Sequence, residues 1–205
     1  MTERYEKWLH KNFFENNFRN GMIYISGGTD SALALYLLCE YVDQHNIDNV
    51  ILQPVYSWEM KKSQKRRDGY KTINRQIEWI KQRFKKITIL PLYLYAVDRT
   101  WEDNSKKFDV PVYELMKHLG KIDFNEPERF VIRGVTLRPQ DDNWRIVDES
   151  IHYELDWGLN DWNIHRQPDT ITPSGVPFVD RNILSSYDKK GVAKIYREKN
   201  LQELF

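Results

Sequence analysis

Met22, Ile23, Tyr24 and Ile25 form a short β-prone run that leads directly into Ser26, Gly27, Gly28, Thr29, Asp30 and Ser31, and then into a stretch apolar almost all round. A strand entering a glycine turn that opens a helix constrains this chain more than any other feature. The two glycines let the backbone turn sharply and come close to a ligand with no Cβ in the way. The first amides of the following helix lack partners and its dipole favours an anion there. Ser26, Thr29 and Ser31 add hydroxyl donors around the same spot. A polyphosphate is the guest this pattern suits. Asp30 would repel it unless a divalent cation lay between them, which makes Asp30 the candidate Mg²⁺ ligand. An ordinary turn capped by Thr29 or Asp30 would account for those two residues, but not for serines on both sides or for the position after the first core strand.

Periodicity supplies the surroundings. Tyr5, Trp8, Leu9 and Phe13 recur at helical spacing and predict an opening helix. The first strand covers 22–25, and 31–45 reads as a buried helix. A second strand is expected over 50–56. Tyr70, Ile73, Ile77, Ile80 and Phe84 then mark an amphipathic helix. A third strand follows over 87–95, a short helix over 111–119 closed by Gly120, and a fourth strand over 130–135. The last helix spans 189–203, with Val192, Ile195 and Tyr196 on one face. Residues 136–186, rich in Trp, Asp and Pro, are left irregular. Strands alternating with helices predict an α/β fold: a Rossmann-like, doubly wound, mainly parallel sheet with helices on both faces. With no repeat or linker, residues 1–205 read as one domain. Ligands of such sheets bind outside the carboxyl ends of the strands, where residues 26–31 fall.

Composition narrows the classes. Hydrophobic residues make up 40% and charged residues 30% of the chain, as in globular rather than disordered proteins. The net charge of +1 exerts no global pull on nucleic acid or membrane. Cys39, the single cysteine, rules out an internal disulfide or a multi-cysteine metal site within these residues, and its apolar neighbours mark it as a small buried hydrophobe. No signal-peptide core or membrane-length apolar run is present, so a cytoplasmic protein is expected.

The hexapeptide at 26–31 resembles the SGGxDS signature of the PP-loop (N-type) ATP pyrophosphatase superfamily. Walker and dinucleotide-binding glycine motifs are absent. The resemblance implies an adenine nucleotide alpha hydrolase-like fold and ATP cleavage to AMP and pyrophosphate, through an adenylylated carboxylate or carbonyl oxygen. It also implies ATP contacts from Ser26, Gly27, Gly28, Thr29, Asp30 and Ser31, with Asp30 catalytic and holding Mg²⁺. Adenine would be held by backbone groups around 53–57, centred on Val55 and Tyr56. Phe130, Val131, Ile132, Arg133 and Gly134 look like the later strand whose glycine lets the nucleotide approach. Pro177 and Phe178 followed by Lys189 and Lys190 resemble the family's closing pattern, in which a lysine, here Lys190, reaches phosphate; plain solvated surface is the competing reading. In strand pattern, size and final helix the chain looks most like the 7-cyano-7-deazaguanine synthases, but it lacks their cysteine-rich zinc site. The same shortage of cysteine argues against thiolases and sulfonucleotide reductases. No glutaminase segment is recognisable, so any ammonia would come from solution or a partner.

Two regions bear on the substrate. Residues 61–86 hold eleven Lys or Arg against Asp68 and Glu78, either a nucleic-acid footprint or, more commonly, the solvated face of a helix. Residues 141–169 interleave acids with Trp144, Trp157, Trp162, His152 and His165, and are read as a lid or a dimer contact. The main expectation is an AMP-forming ligase or synthase acting on a small carboxylate or carbonyl compound, as a homodimer away from membranes. The alternatives are an ATP-binding module without catalysis and a PP-loop enzyme modifying a tRNA or DNA base.

Overall fold

The computed structural model describes residues 19–59, 69–97, 130–134, 177–184 and 189–204, together with Glu6, Leu9, His10, Thr170, Ile171 and Tyr187. The strands are β1 (Asn20–Tyr24), β2 (Val50–Glu59), β3 (Ile87–Ile89), β4 (Tyr93–Val97), β5 (Phe130–Arg133), β6 (Thr170–Ile171) and β7 (Pro177–Asn182). The helices are α1 (Thr29–Gln44), α2 (Gly69–Arg83) and α3 (Lys189–Glu198), followed by a 3₁₀ turn over Gln202–Leu204. The strand order is β3-β2-β1-β5-β7-β6, with β4 also paired to β2. Every pairing is parallel except β6 with β7. The expected parallel α/β architecture is therefore present. The helix expected over 111–119, and the segment 141–169, lie outside the described residues.

The order reverses at β1, which has β2 on one side and β5 on the other. Chain leaving the ends of β1 and β5 therefore diverges, opening the crevice in which ligands of such sheets sit. Helix α1 fills the space behind it. All its residues from Ser31 to Val42 are buried, as its uniformly apolar sequence requires. It packs against both α2 and α3. Helix α2 turns Ile73, Gln76, Ile77 and Ile80 inward, and α3 turns Val192, Ile195 and Tyr196. Leu9 is buried and His10 Nδ1 lies 2.8 Å from the Tyr41 hydroxyl, so this helical part of the N-terminal segment meets the second half of α1.

Three elements differ from expectation. The strand expected over 87–95 is two. Register with β2 moves from Leu52↔Ile89 to Val55↔Tyr93, a slip of one residue across Leu90, Pro91 and Leu92. Neither Pro54 nor Pro91 has an N–H to offer the ladder. The buried Gln53 side chain stands in for them, its Nε2 donating to the carbonyls of Pro91 at 2.7 Å and Pro54 at 2.9 Å. Second, Pro177–Asn182 is a sheet strand inside the region left irregular. Third, the final helix stops at Glu198, and Asn200 at φ 52° turns the chain so that Leu201 and Leu204 can bury.

A buried charge locks α3 to α1. Glu40 is 7% exposed, accepts from the Tyr36 hydroxyl at 3.0 Å and pairs with Lys199 Nζ at 2.8 Å. Removing one partner of such a pair strands the other in a poor solvent. Lys199→Met should cost about 3 kcal/mol in urea unfolding, with part of the loss recovered when Glu40→Gln is added. Equal losses in the single and double variants would show that the pair does not hold the helices.

Candidate active site

Residues 26–31 connect β1 to α1 at the switch point. Gly27 has φ of 77°, a conformation that side chains rarely adopt. A Cβ there would also lie 3.3 Å from Ile73 Cγ1 and 3.5 Å from the Gly69 carbonyl oxygen, so the start of α2 abuts the turn. Gly28 is the N-cap of α1 and makes no side-chain cap. The first amides of a helix have no intrahelical acceptors.

The serines hold the turn rather than simply facing a ligand. The Ser31 hydroxyl donates to the Gly28 carbonyl at 3.2 Å and accepts from the Ser26 amide at 3.0 Å. Ser26 Oγ lies 3.1 Å from Ser31 Oγ and accepts from the Gly28 amide at 3.3 Å. One arrangement satisfies all four contacts: the Ser26 hydroxyl donates to Ser31, which donates to Gly28. The motif's two serines thus brace the loop across its base.

Asp30 sits in the first turn of α1 and takes a hydrogen bond from Thr29 Oγ1 at 3.1 Å. Among the described residues no group of three His, Cys, Asp or Glu gathers to hold a metal. A cation at Asp30 could draw further ligands from phosphate and water, as Mg²⁺ commonly does. An acceptor-only carboxylate beside helix amides suits that role.

Gly134, just past β5, has a different reason for being glycine from the one expected. A Cβ there would come within 2.6 Å of the Asp30 carbonyl oxygen and 2.9 Å of Ala34 Cβ. It admits the first turn of α1, not directly a nucleotide. The backbone of Arg133, one residue earlier, pairs with Asn182. At β2, the Val55 carbonyl accepts from the Ile25 amide at 2.9 Å, and β1 pairs no further along β2. β2 runs on to Glu59 beside β4, so Tyr56 stands where β2 outlasts β1, next to the turn. Lys190 is exposed in the first turn of α3. Because β7 is parallel to β5 and β5 to β1, the β7–α3 connection leaves at the same edge of the sheet as the loop.

Two further residues touch the loop. The Tyr196 hydroxyl, from α3, donates to the Thr29 carbonyl at 2.8 Å. Burial, and then the Asp30 charge, push this phenol far above its ordinary value of 10.0. Gln76 is 1% exposed, and its Nε2 donates to the Gly27 carbonyl at 3.3 Å. Its Oε1 has no hydrogen-bond partner among the described residues. A glutamine in the apolar stripe of α2 was the signal for the second. Tyr196 looked like any core aromatic.

Cys39 is wholly buried, and burial followed by the Asp43 charge raises its thiol far above the ordinary range, which leaves it inert.

Two tests follow. Gly134→Ala should cost about 1–3 kcal/mol, because backbone blocks the new methyl, whereas Gly28→Ala, whose Cβ meets only the Ser26 hydroxyl at 3.3 Å, should cost about 1 kcal/mol or less. Tyr36 is also raised above 10.0, by burial, then by the Glu40 charge and hydrogen bond. Both phenols are protonated in either state below about pH 10; above it the unfolded chain loses its protons first, so stability falls as pH rises. Urea midpoints from about pH 8 to about pH 11 should show this decline, and it should become shallower when Tyr36→Phe and Tyr196→Phe are combined, with the raised Cys39 and Tyr41 still contributing.

No family model matches the sequence, and no curated protein matches it. Among solved structures it is similar to the U34-tRNA thiolase NcsA from Methanococcus maripaludis, whose structure includes a [4Fe-4S] cluster. The match has 20% identity and a TM-score of 0.48, covers 98% of this chain, and spans 64% of the thiolase chain, just under two thirds of its length. The functional reading of the site therefore rests on this chain's own geometry.

Proposed function

We propose that the chain binds ATP with its phosphates on the 26–31 loop and cleaves it between the α- and β-phosphates, passing the adenylyl group to a carboxylate or carbonyl oxygen. The observation that carries this reading is the start of α1 behind a glycine N-cap, reached through a glycine at φ 77° and set where the strand order reverses. Amides at the start of a helix and the helix dipole favour the negative phosphates there. Gly28 keeps a side chain out of the cradle, and the Ser26–Ser31 brace keeps the amides aimed without further ordering at the moment of reaction.

Adenine is placed against the end of β2, at Val55 and Tyr56, and the Arg133–Gly134 end of β5 forms the opposite wall. Lys190, at the same edge, is the residue placed to meet the outer phosphates. A Mg²⁺ ion bound through Asp30 would offset the repulsion between carboxylate and phosphate and draw charge from the departing pyrophosphate. The acceptor oxygen attacks the α-phosphorus, the bond from that phosphorus to the α,β-bridging oxygen breaks, and pyrophosphate leaves. The acceptor now carries AMP, a better leaving group than the oxygen it replaced, and a nitrogen or sulfur nucleophile displaces it. The protein's share is positioning and charge stabilisation. The acceptor carbonyl can belong to a small molecule or to a nucleobase, since the adenylyl step is the same.

Incubation with Mg²⁺, ATP and a panel of carboxylate and carbonyl acceptors should give AMP and pyrophosphate. Asp30→Asn should lower turnover roughly 10²-fold, and Gly28→Ala should weaken ATP binding more than it affects folding. ADP and phosphate as products would contradict the proposal.

A further inference from the structure

The most uneven charge in the chain lies over 61–86, where eleven basic residues meet two acids; since the whole chain carries +1, this segment is net +9 and all other residues together are net −8. Within it, α2 and the turn after it are described. The inward stripe of α2 is apolar apart from Gln76, and Lys71, Arg75, Arg83, Lys85 and Lys86 are exposed. Glu78 is the one acid of α2, and the first helical turn has none. Glu78 pairs with Lys81 at 3.1 Å and Asp48 with Lys86 at 3.7 Å, both exposed contacts of the kind that contribute little. Arg83 lies 3.9 Å over the Trp79 ring, and Tyr70 is 37% exposed at the other end of the helix.

Position gives this face its meaning. A Cβ on Gly27 of the loop would meet Gly69, Thr72 and Ile73, so α2 starts beside the site, and its basic face runs from there for about 22 Å at 1.5 Å per residue. We propose that the outer face of α2 carries the phosphodiester backbone of a nucleic acid, leading a base of that strand to the loop; only the destination of the base rests on the reading of the loop given above. Cations spread along the helix and the turn after it, with aromatic rings among them, suit a charged backbone and bases that stack. An anionic membrane would call for apolar anchors beside the cations, and the large exposed hydrophobics among the described residues are Tyr70 and Leu94 alone.

Fluorescence anisotropy without ATP, using labelled single-stranded DNA and an RNA hairpin with a single-stranded loop, tests the surface by itself. Five phosphate contacts on a single strand predict a slope of about −3.5 for log affinity against log salt. The triple variant Arg75→Gln, Lys85→Gln, Lys86→Gln should bind at least roughly tenfold more weakly and lose about 2 from that slope, with ATP binding and the unfolding midpoint unchanged. Binding by either nucleic acid supports the proposal, and the two arms decide between ribose and deoxyribose. Absence of binding at about 50 mM salt, unaltered binding by the variant, or binding only to anionic vesicles overturns it. Loss of ATP binding alone would count against the loop reading and leave this surface standing.

Discussion

Helix α1 has no solvent face from Ser31 to Val42, and the other described elements are arranged around that burial. A helix enclosed by the sheet, α2 and α3 cannot shift along its axis without opening the core, so its first turn is fixed relative to the strand ends. Close packing there leaves no space for a methyl at Gly134, 2.6 Å from the Asp30 carbonyl oxygen. The anion-seeking end of α1 is thereby held still at the switch point, which a preorganised phosphate site needs.

Polar groups tie the rest of the molecule to the same helix. At one end the Tyr196 hydroxyl reaches the Thr29 carbonyl; further along, Lys199 and Tyr36 meet the buried Glu40. Gln76 reaches the Gly27 carbonyl from α2. The Tyr196, Lys199 and Gln76 contacts each join another part of the chain to the loop or to the helix that begins there. The Glu40 cluster contributes specificity of docking more than net stability, since desolvating its charges offsets much of their attraction.

What the sequence revealed and what it hid divide along local and long-range lines. The glycine turn was legible because its chemistry is contained in six consecutive residues. Helix α2 was legible through the spacing of Ile73, Ile77 and Ile80, and α1 through its uniform apolarity. The break between β3 and β4 was hidden because it depends on two prolines far apart in the chain, Pro54 and Pro91, meeting across a ladder, with Gln53 filling the gap. β7 was hidden because Asp180, Arg181 and Asn182 are polar for a sheet strand, and pairing with β5 outweighs that. Tyr196 and Gln76 bond to the loop across 167 and 49 residues, which no local pattern encodes. Gly134 was read as a glycine that lets a nucleotide approach, whereas the close approach the structure shows there, that of α1, is a packing fact.

The central claim is that the backbone of the 26–31 turn receives a polyphosphate. Amide chemical shifts in a magnesium-ATP titration test this most directly. The account predicts large, saturable shifts at Gly27, Thr29 and Asp30, with much smaller ones for AMP, which lacks the β- and γ-phosphates. If the largest shifts fall elsewhere, or AMP moves these amides as far as ATP does, the turn is not the polyphosphate site.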